Sequence, residues 1–111
     1  MKSKNSSLTE KVHTIVWAFS VAPQHQAEFE RAYGSVGDWA QLFIRQTGYL
    51  GTRLYRDISS REDGLLHYLC EDVWDNQTSH KAFLAEHQDD YLALDARCEA
   101  FTVSERRLLQ A

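Results

Sequence analysis

Trp74 closes a β-rich run and is followed by Asp75 and a helix-forming segment, which places an indole at a strand-to-helix corner. An indole there can stack on a planar ring and offer its N–H to a ring oxygen; the plain alternative is a plug for the core. Tyr68 lies six residues earlier, and the two-residue period of a strand puts it on the same side of the sheet. Its hydroxyl suits a phenolic partner, or simply a satisfied core position. His80, six residues beyond Trp74, is a polar group for the mouth of a pocket and a candidate for proton transfer. His80 and His87 are seven apart and share a face if one helix carries both, with Glu86, Asp89 and Asp90 nearby. That spacing is not HExxH and fixes no third ligand, so no metal is assigned. His67 falls on the face opposite Trp74, as a buried interface histidine or, in a wet layer, a base. Trp17, Phe19, Trp39, Phe43 and Phe83 complete the aromatic set expected to line a pocket with Trp74. Singly each is a core residue, but three indoles in 111 residues favour a cavity for a flat ring.

The secondary structure that carries these groups follows from the residue pattern. Val12 to Val21 is rich in β-branched and aromatic residues and predicts a strand. Pro23 sits where a helix begins, and apolar residues follow at helical spacing from Phe29 to Ile44. Gly34 and Gly37 interrupt that pattern, so a broken helix is expected, restarting with Asp38 as N-cap. Gly48 supplies the exit to a second strand, Tyr49 to Ile58; a polar loop over 59–64 leads to a third, Leu65 to Trp74. Asp75 is the expected cap of the next helix, around Ala82 to Leu84, and Tyr91 to Glu99 continues at helical spacing. Phe101 to Leu109 alternates as a fourth strand. The order β-α-β-β-α-β is an α+β ferredoxin-like sandwich, with its helical segments on one face. The other face is apolar too, through Val12, Val16 and Ala18 on the first strand and Leu65, Leu69 and Val73 on the third. Two-sided apolar strands need a second cover, and a second copy packing sheet on sheet as a homodimer is the economical one.

Composition narrows the classes. The length suits one domain over 12–111, behind a polar leader at 1–11 expected to be disordered. A net charge of −4 argues against a nucleic-acid partner, and no apolar run reaches the roughly 20 residues of a membrane span. Cys70 and Cys98 form no CxxC pair and read as reduced thiols of a cytoplasmic protein. Walker, dinucleotide-fingerprint and GxSxG motifs are absent from the sequence.

Five stretches carry a resemblance. They are Glu28-Phe29-Glu30-Arg31-Ala32-Tyr33-Gly34, Gly37-Asp38-Trp39, Gly48-Tyr49-Leu50-Gly51-Thr52, Glu71-Asp72-Val73-Trp74, and Asp90-Tyr91-Leu92-Ala93-Leu94-Asp95. Through them, residues 12–110 resemble the antibiotic biosynthesis monooxygenase family, whose members form dimeric α/β barrels. The resemblance implies a ligand pocket between helices and sheet within each subunit. It also implies a cofactor-independent monooxygenase acting on a phenolic, quinol or anthrone-type aromatic, with a small aromatic molecule as partner. The alternative is a non-catalytic small-molecule-binding dimer of the same fold. The family's tryptophan at the end of the third strand is matched by Trp74. The asparagine that the haem-degrading branch carries on the first strand meets Trp17, and its helical histidine meets Leu84, so haem degradation is disfavoured. The asparagine and tyrosine of the anthrone-oxidising branch fall near Cys70 and His80. The implied roles are therefore orientation by Trp74, hydrogen bonding by Tyr68 and proton transfer by His80.

Overall fold

The computed structural model describes residues 11–59 and 62–110, so most of the expected leader lies outside the described residues. Strand β1 (His13–Val21) leads through a 3-10 turn at Pro23–His25 into helix α1 (Gln26–Tyr33) and then α2 (Asp38–Phe43). Strands β2 (Tyr49–Arg56) and β3 (Leu66–Trp74) form a hairpin. Helices α3 (Gln77–Glu86) and α4 (Gln88–Cys98) follow, and β4 (Ser104–Gln110) closes the order. The sheet runs β2-β3-β1-β4 and every pairing is antiparallel. This is the α+β, split β-α-β-β-α-β arrangement expected from the sequence.

The register sets the inward face. His13 lies opposite Trp74, Trp17 opposite Cys70 and Phe19 opposite Tyr68 on the β1–β3 ladder. On β3, Tyr68, Cys70, Asp72 and Trp74 are buried, while their alternating neighbours are half-buried or exposed. The helices cover this face with Phe29, Ala32 and Tyr33 from α1, Trp39 and Phe43 from α2, and Phe83 and Leu94 from α3 and α4. The opposite face leaves Leu69, Tyr55 and Leu109 exposed among the described residues. The β1–β4 register shifts at Val16 and Trp17, whose partners Leu109 and Arg107 leave Leu108 of β4 as the extra residue, and the β2–β3 register shifts between Tyr49 and Gly51. Bulges re-aim side chains.

The corner that carries Trp74 is tight. The Asp75 amide donates to the Gly48 carbonyl at 2.7 Å. Gly48 has φ of 105°, and a Cβ there would collide with the Ser79 side chain and the Asp75 carboxylate. Only glycine meets both conditions. Asp75 does not cap α3 as expected; Asn76 does, its side-chain oxygen accepting from the Ser79 amide at 2.9 Å. The reason is that Asp75 is still tied to the chain at Gly48, so the helix starts one residue later. Gly37 likewise takes the N-cap expected of Asp38, which becomes the first residue of α2 and lies 3.6 Å from Arg97. The fourth strand begins at Ser104, because residues Glu99–Phe101 continue α4 as a 3-10 turn. Among the described residues no helix is long and apolar enough to cross a membrane.

Candidate functional site

A cleft of about 50 Å³ opens between the inward face of the sheet and the helices. Trp39, Phe43 and Trp74 supply its aromatic floor, and Ile15, Trp17 and Phe19 supply the β1 wall. Its rim is polar: Asp95 from α4 faces Glu105 and Arg107 from β4. The Arg107 guanidinium sits 5.0 Å above the Trp17 ring, an attraction between cation and indole face that ties β4 to the wall. The enclosed volume admits only a few water-sized molecules, against the roughly 300–1,000 Å³ of pockets for drug-sized ligands. A polycycle would therefore have to widen the cleft at this rim.

Trp74 is fully buried, and its ring packs against Phe43, Tyr49, His80 and Phe83 with centroids 5.3 to 5.6 Å away. Its indole N–H has no hydrogen-bond partner among the described residues. A buried donor left unpaired is destabilising unless something arrives to accept from it. His80 comes from α3, and its ring lies tilted against those of Trp74 and His13, with centroids 5.3 Å from each. Burial, helped by His13 and Arg107, pushes the His80 imidazolium down to about 4, so the ring is neutral at pH 7.

Of the expected site residues, Trp74, Trp17, Phe19, Trp39, Phe43 and His80 meet in the cleft. Phe83 lies behind the floor, edge-on to Phe43 at 5.1 Å. Tyr68 shares the inward face with Trp74, as the period-two pattern requires, but its ring packs on Phe29 and its hydroxyl donates to Glu30 Oε2 at 2.6 Å. That bond lowers the Glu30 carboxyl below its ordinary value and, with burial, raises the Tyr68 phenol. Tyr68 borders a separate hollow beside His67 and Arg56. The His67 ring pairs with Asp63 at 2.8 Å on the outward side. His80 and His87 do not share one continuous helix, because α3 ends and α4 begins at His87, which stacks on Phe83. Among the described residues no cluster of three or more His, Cys, Asp and Glu is placed to hold a metal ion.

The sequence reading missed Asp72. It sits on β3 between Cys70 and Trp74, on the inward face, and lines the cleft. The signal was available: one acidic residue at an even position of an otherwise apolar stripe. Thr52 donates its hydroxyl to Asp72 Oδ1 at 2.7 Å, and Tyr49 donates to the Thr52 oxygen at 2.6 Å. Burial pushes the Asp72 carboxyl up to about 6; Thr52 works against this and Glu71 adds to it. Cys70 is buried, and its thiol is pushed up by burial and by the charges of Asp72 and Glu71. It stays protonated, which removes it as a nucleophile.

No protein-family model and no curated protein sequence matches the chain. Solved structures do. SnoaB, a cofactor-independent oxygenase from Streptomyces nogalater, superposes with a TM-score of 0.61 at 21% identity, over 89% of this chain and 92% of its own. The chain has the antibiotic biosynthesis monooxygenase fold. PA3566 from Pseudomonas aeruginosa matches with a TM-score of 0.58 at 18% identity, covering 91% of this chain and 92% of that one. A candidate antibiotic biosynthesis monooxygenase from Nitrosomonas europaea gives a TM-score of 0.59 at 12% identity, covering 90% and 88%. At these identities the likeness establishes the SnoaB-like fold, and activity is a separate question.

Proposed function

We propose that this protein is a cofactor-independent monooxygenase acting on a phenolic, quinol or anthrone-type aromatic. The observation that carries the reading is the unpartnered N–H of the fully buried Trp74 beside an aromatic cleft that also holds a buried carboxyl. A flat substrate would slide over Trp39 and Phe43 and accept a hydrogen bond from the Trp74 indole through a ring oxygen. Deprotonation would make it electron-rich enough to reduce dioxygen directly, with the protein supplying orientation and a dry enclosure. His80, neutral and packed on Trp74, is placed to exchange a hydrogen bond with a substrate oxygen. The role given to Tyr68 would require its hydroxyl to leave Glu30. The exposed outward face, with Leu69, Tyr55 and Leu109, supports a homodimer packed sheet on sheet.

Oxygen consumption by metal-free protein over a panel of anthrones and quinols tests the reading. Enzyme-dependent uptake that falls in Trp74→Ala is expected. The second reading, a binding dimer without turnover, is favoured by one observation: the Cys70 thiol, near the position that the resemblance gives to the asparagine of the anthrone-oxidising branch, is buried and protonated. It predicts saturable ligand binding with no uptake.

A further inference from the structure

We infer that Asp72 is the catalytic base of this site, receiving the substrate proton on its free carboxylate oxygen, with Thr52 and Tyr49 as the residues that position it. The assignment rests on the aromatic-substrate reading above. Asp72 is 8% exposed, yet it lines the cleft. Oδ1 accepts the Thr52 hydroxyl, and a longer thiol contact from Cys70 reaches the same oxygen at 4.0 Å. Both of these contacts end on Oδ1, which leaves Oδ2 as the oxygen on which no hydrogen bond is found among the described residues. Because the single Thr52 proton goes to Asp72, the Tyr49 hydroxyl must donate to Thr52. The chain Tyr49–Thr52–Asp72 thus points both its protons toward the carboxylate and fixes which oxygen remains open.

A buried carboxyl that no cation among the described residues offsets is an expensive feature for a 111-residue fold. The groups around the cleft explain why Asp72, and not another, is suited to take a proton. His13 on β1 and His80 on α3 are both pushed toward the neutral form. Tyr49 on β2, Cys70 on β3 and Tyr91 on α4 are all raised, and stay protonated at neutral pH. The remaining charges, Glu71 beside it on β3 and Asp95, Glu105 and Arg107, lie on the half-buried or exposed parts of the rim and sheet. Asp72 is the buried group whose ionised form is the dominant one at neutral pH. A carboxylate titrating near the working pH is a stronger proton acceptor than an imidazole held down to about 4.

The substrate C–H bond breaks, an O–H bond forms at Asp72 Oδ2, and the electron pair remains on the substrate as a resonance-stabilised carbanion. Dioxygen accepts those electrons and forms the new C–O bond as a peroxide anion, which takes back the proton from Asp72. The resulting hydroperoxide loses water and leaves a ketone. One CH₂ and one O₂ become one C=O and one H₂O.

Exchange of the C10 hydrogens of anthrone in deuterated buffer, without oxygen, isolates the first step. The wild-type protein should accelerate exchange, and Asp72→Asn, which keeps an oxygen for Thr52, should lose that acceleration by about 100-fold or more. The variant is scored at anthrone concentrations that saturate quenching of its tryptophan fluorescence, which shows it folded and loaded. Equal acceleration by both proteins, or none by the wild type, would overturn the assignment. Exchange that depends on Asp72 without oxygen uptake in air would leave Asp72 as the base and remove the oxygenase reading.

Discussion

The Thr52 hydroxyl lies 2.7 Å from Asp72 Oδ1 and donates to it, joining β2 to β3 inside the cleft wall. The bond stabilises the charged carboxylate, so it holds Asp72 below the value burial alone would give. Thr52→Val removes the donor at nearly constant shape. If turnover requires ionised Asp72, activity rises with pH through about 6 in the wild type. In the variant that rise should move to higher pH by on the order of one unit. The pH profile of kcat/KM reads the shift; an unmoved acidic limb would separate the limb from Asp72.

Asp72 should weigh on stability for the same reason that it suits chemistry. Its folded value, about 6, lies above its ordinary 3.8, so between those values the folded chain binds the proton more tightly than the unfolded chain. Stability contributed by the protonated form is present below about pH 4 and is lost as pH rises through 6. Asp72→Asn should therefore stabilise the protein at pH 7.5 by on the order of 1–3 kcal/mol, with a smaller gain at pH 4. Thermal melts at the two pH values check both the sign and the window. Destabilisation at pH 7.5 would contradict it.

His80 has the opposite sign. Its folded value, about 4, lies below the ordinary 6.5, so the unfolded chain takes up the proton first as pH falls. Its contribution holds above about pH 6.5 and is lost as pH falls toward 4. A proton NMR titration should show the His80 ring signal unmoved through pH 6 and shifting near 4. A midpoint near 6.5 would mean that the ring is not enclosed between Trp74 and His13.

Tyr68→Phe separates a structural tyrosine from a catalytic one. With its hydroxyl on Glu30, the expected effect is a loss of about 1 kcal/mol in stability. Glu30 is held below its ordinary value by that bond, so the loss should be visible at neutral pH and fade as pH falls through the carboxyl range. Denaturant melts measure it. A large fall in turnover without loss of stability would return Tyr68 to the reacting groups.

The fold was legible because the strands are rich in β-branched and aromatic residues, while Gly34, Gly37 and Gly48 punctuate the helical pattern. Period two placed Trp74 and Tyr68 on one face correctly, but it is blind to position along the strand. Residues six apart on β3 end in different environments, Trp74 in the cleft and Tyr68 against α1. Asp72 escaped notice because an acidic residue before a strand end reads as a cap or a rim charge; the cleft it lines is completed by helices α2 and α4 from distant sequence. The helix starts shifted by one residue, as at Asn76, because a tertiary hydrogen bond from Asp75 to Gly48 outranks local capping preference. The Trp17–Arg107 contact joins residues ninety apart in the chain and needed the β1–β4 register to be seen.

Oxygen consumption by metal-free protein with anthrone at pH 7.5, with Asp72→Asn and Trp74→Ala measured beside it, decides whether this cleft oxidises aromatics. Uptake in proportion to protein, lost in the first variant and strongly reduced in the second, is the predicted result. Uptake no faster than the protein-free blank, or equally fast in all three proteins, would contradict an oxygenase built on this cleft.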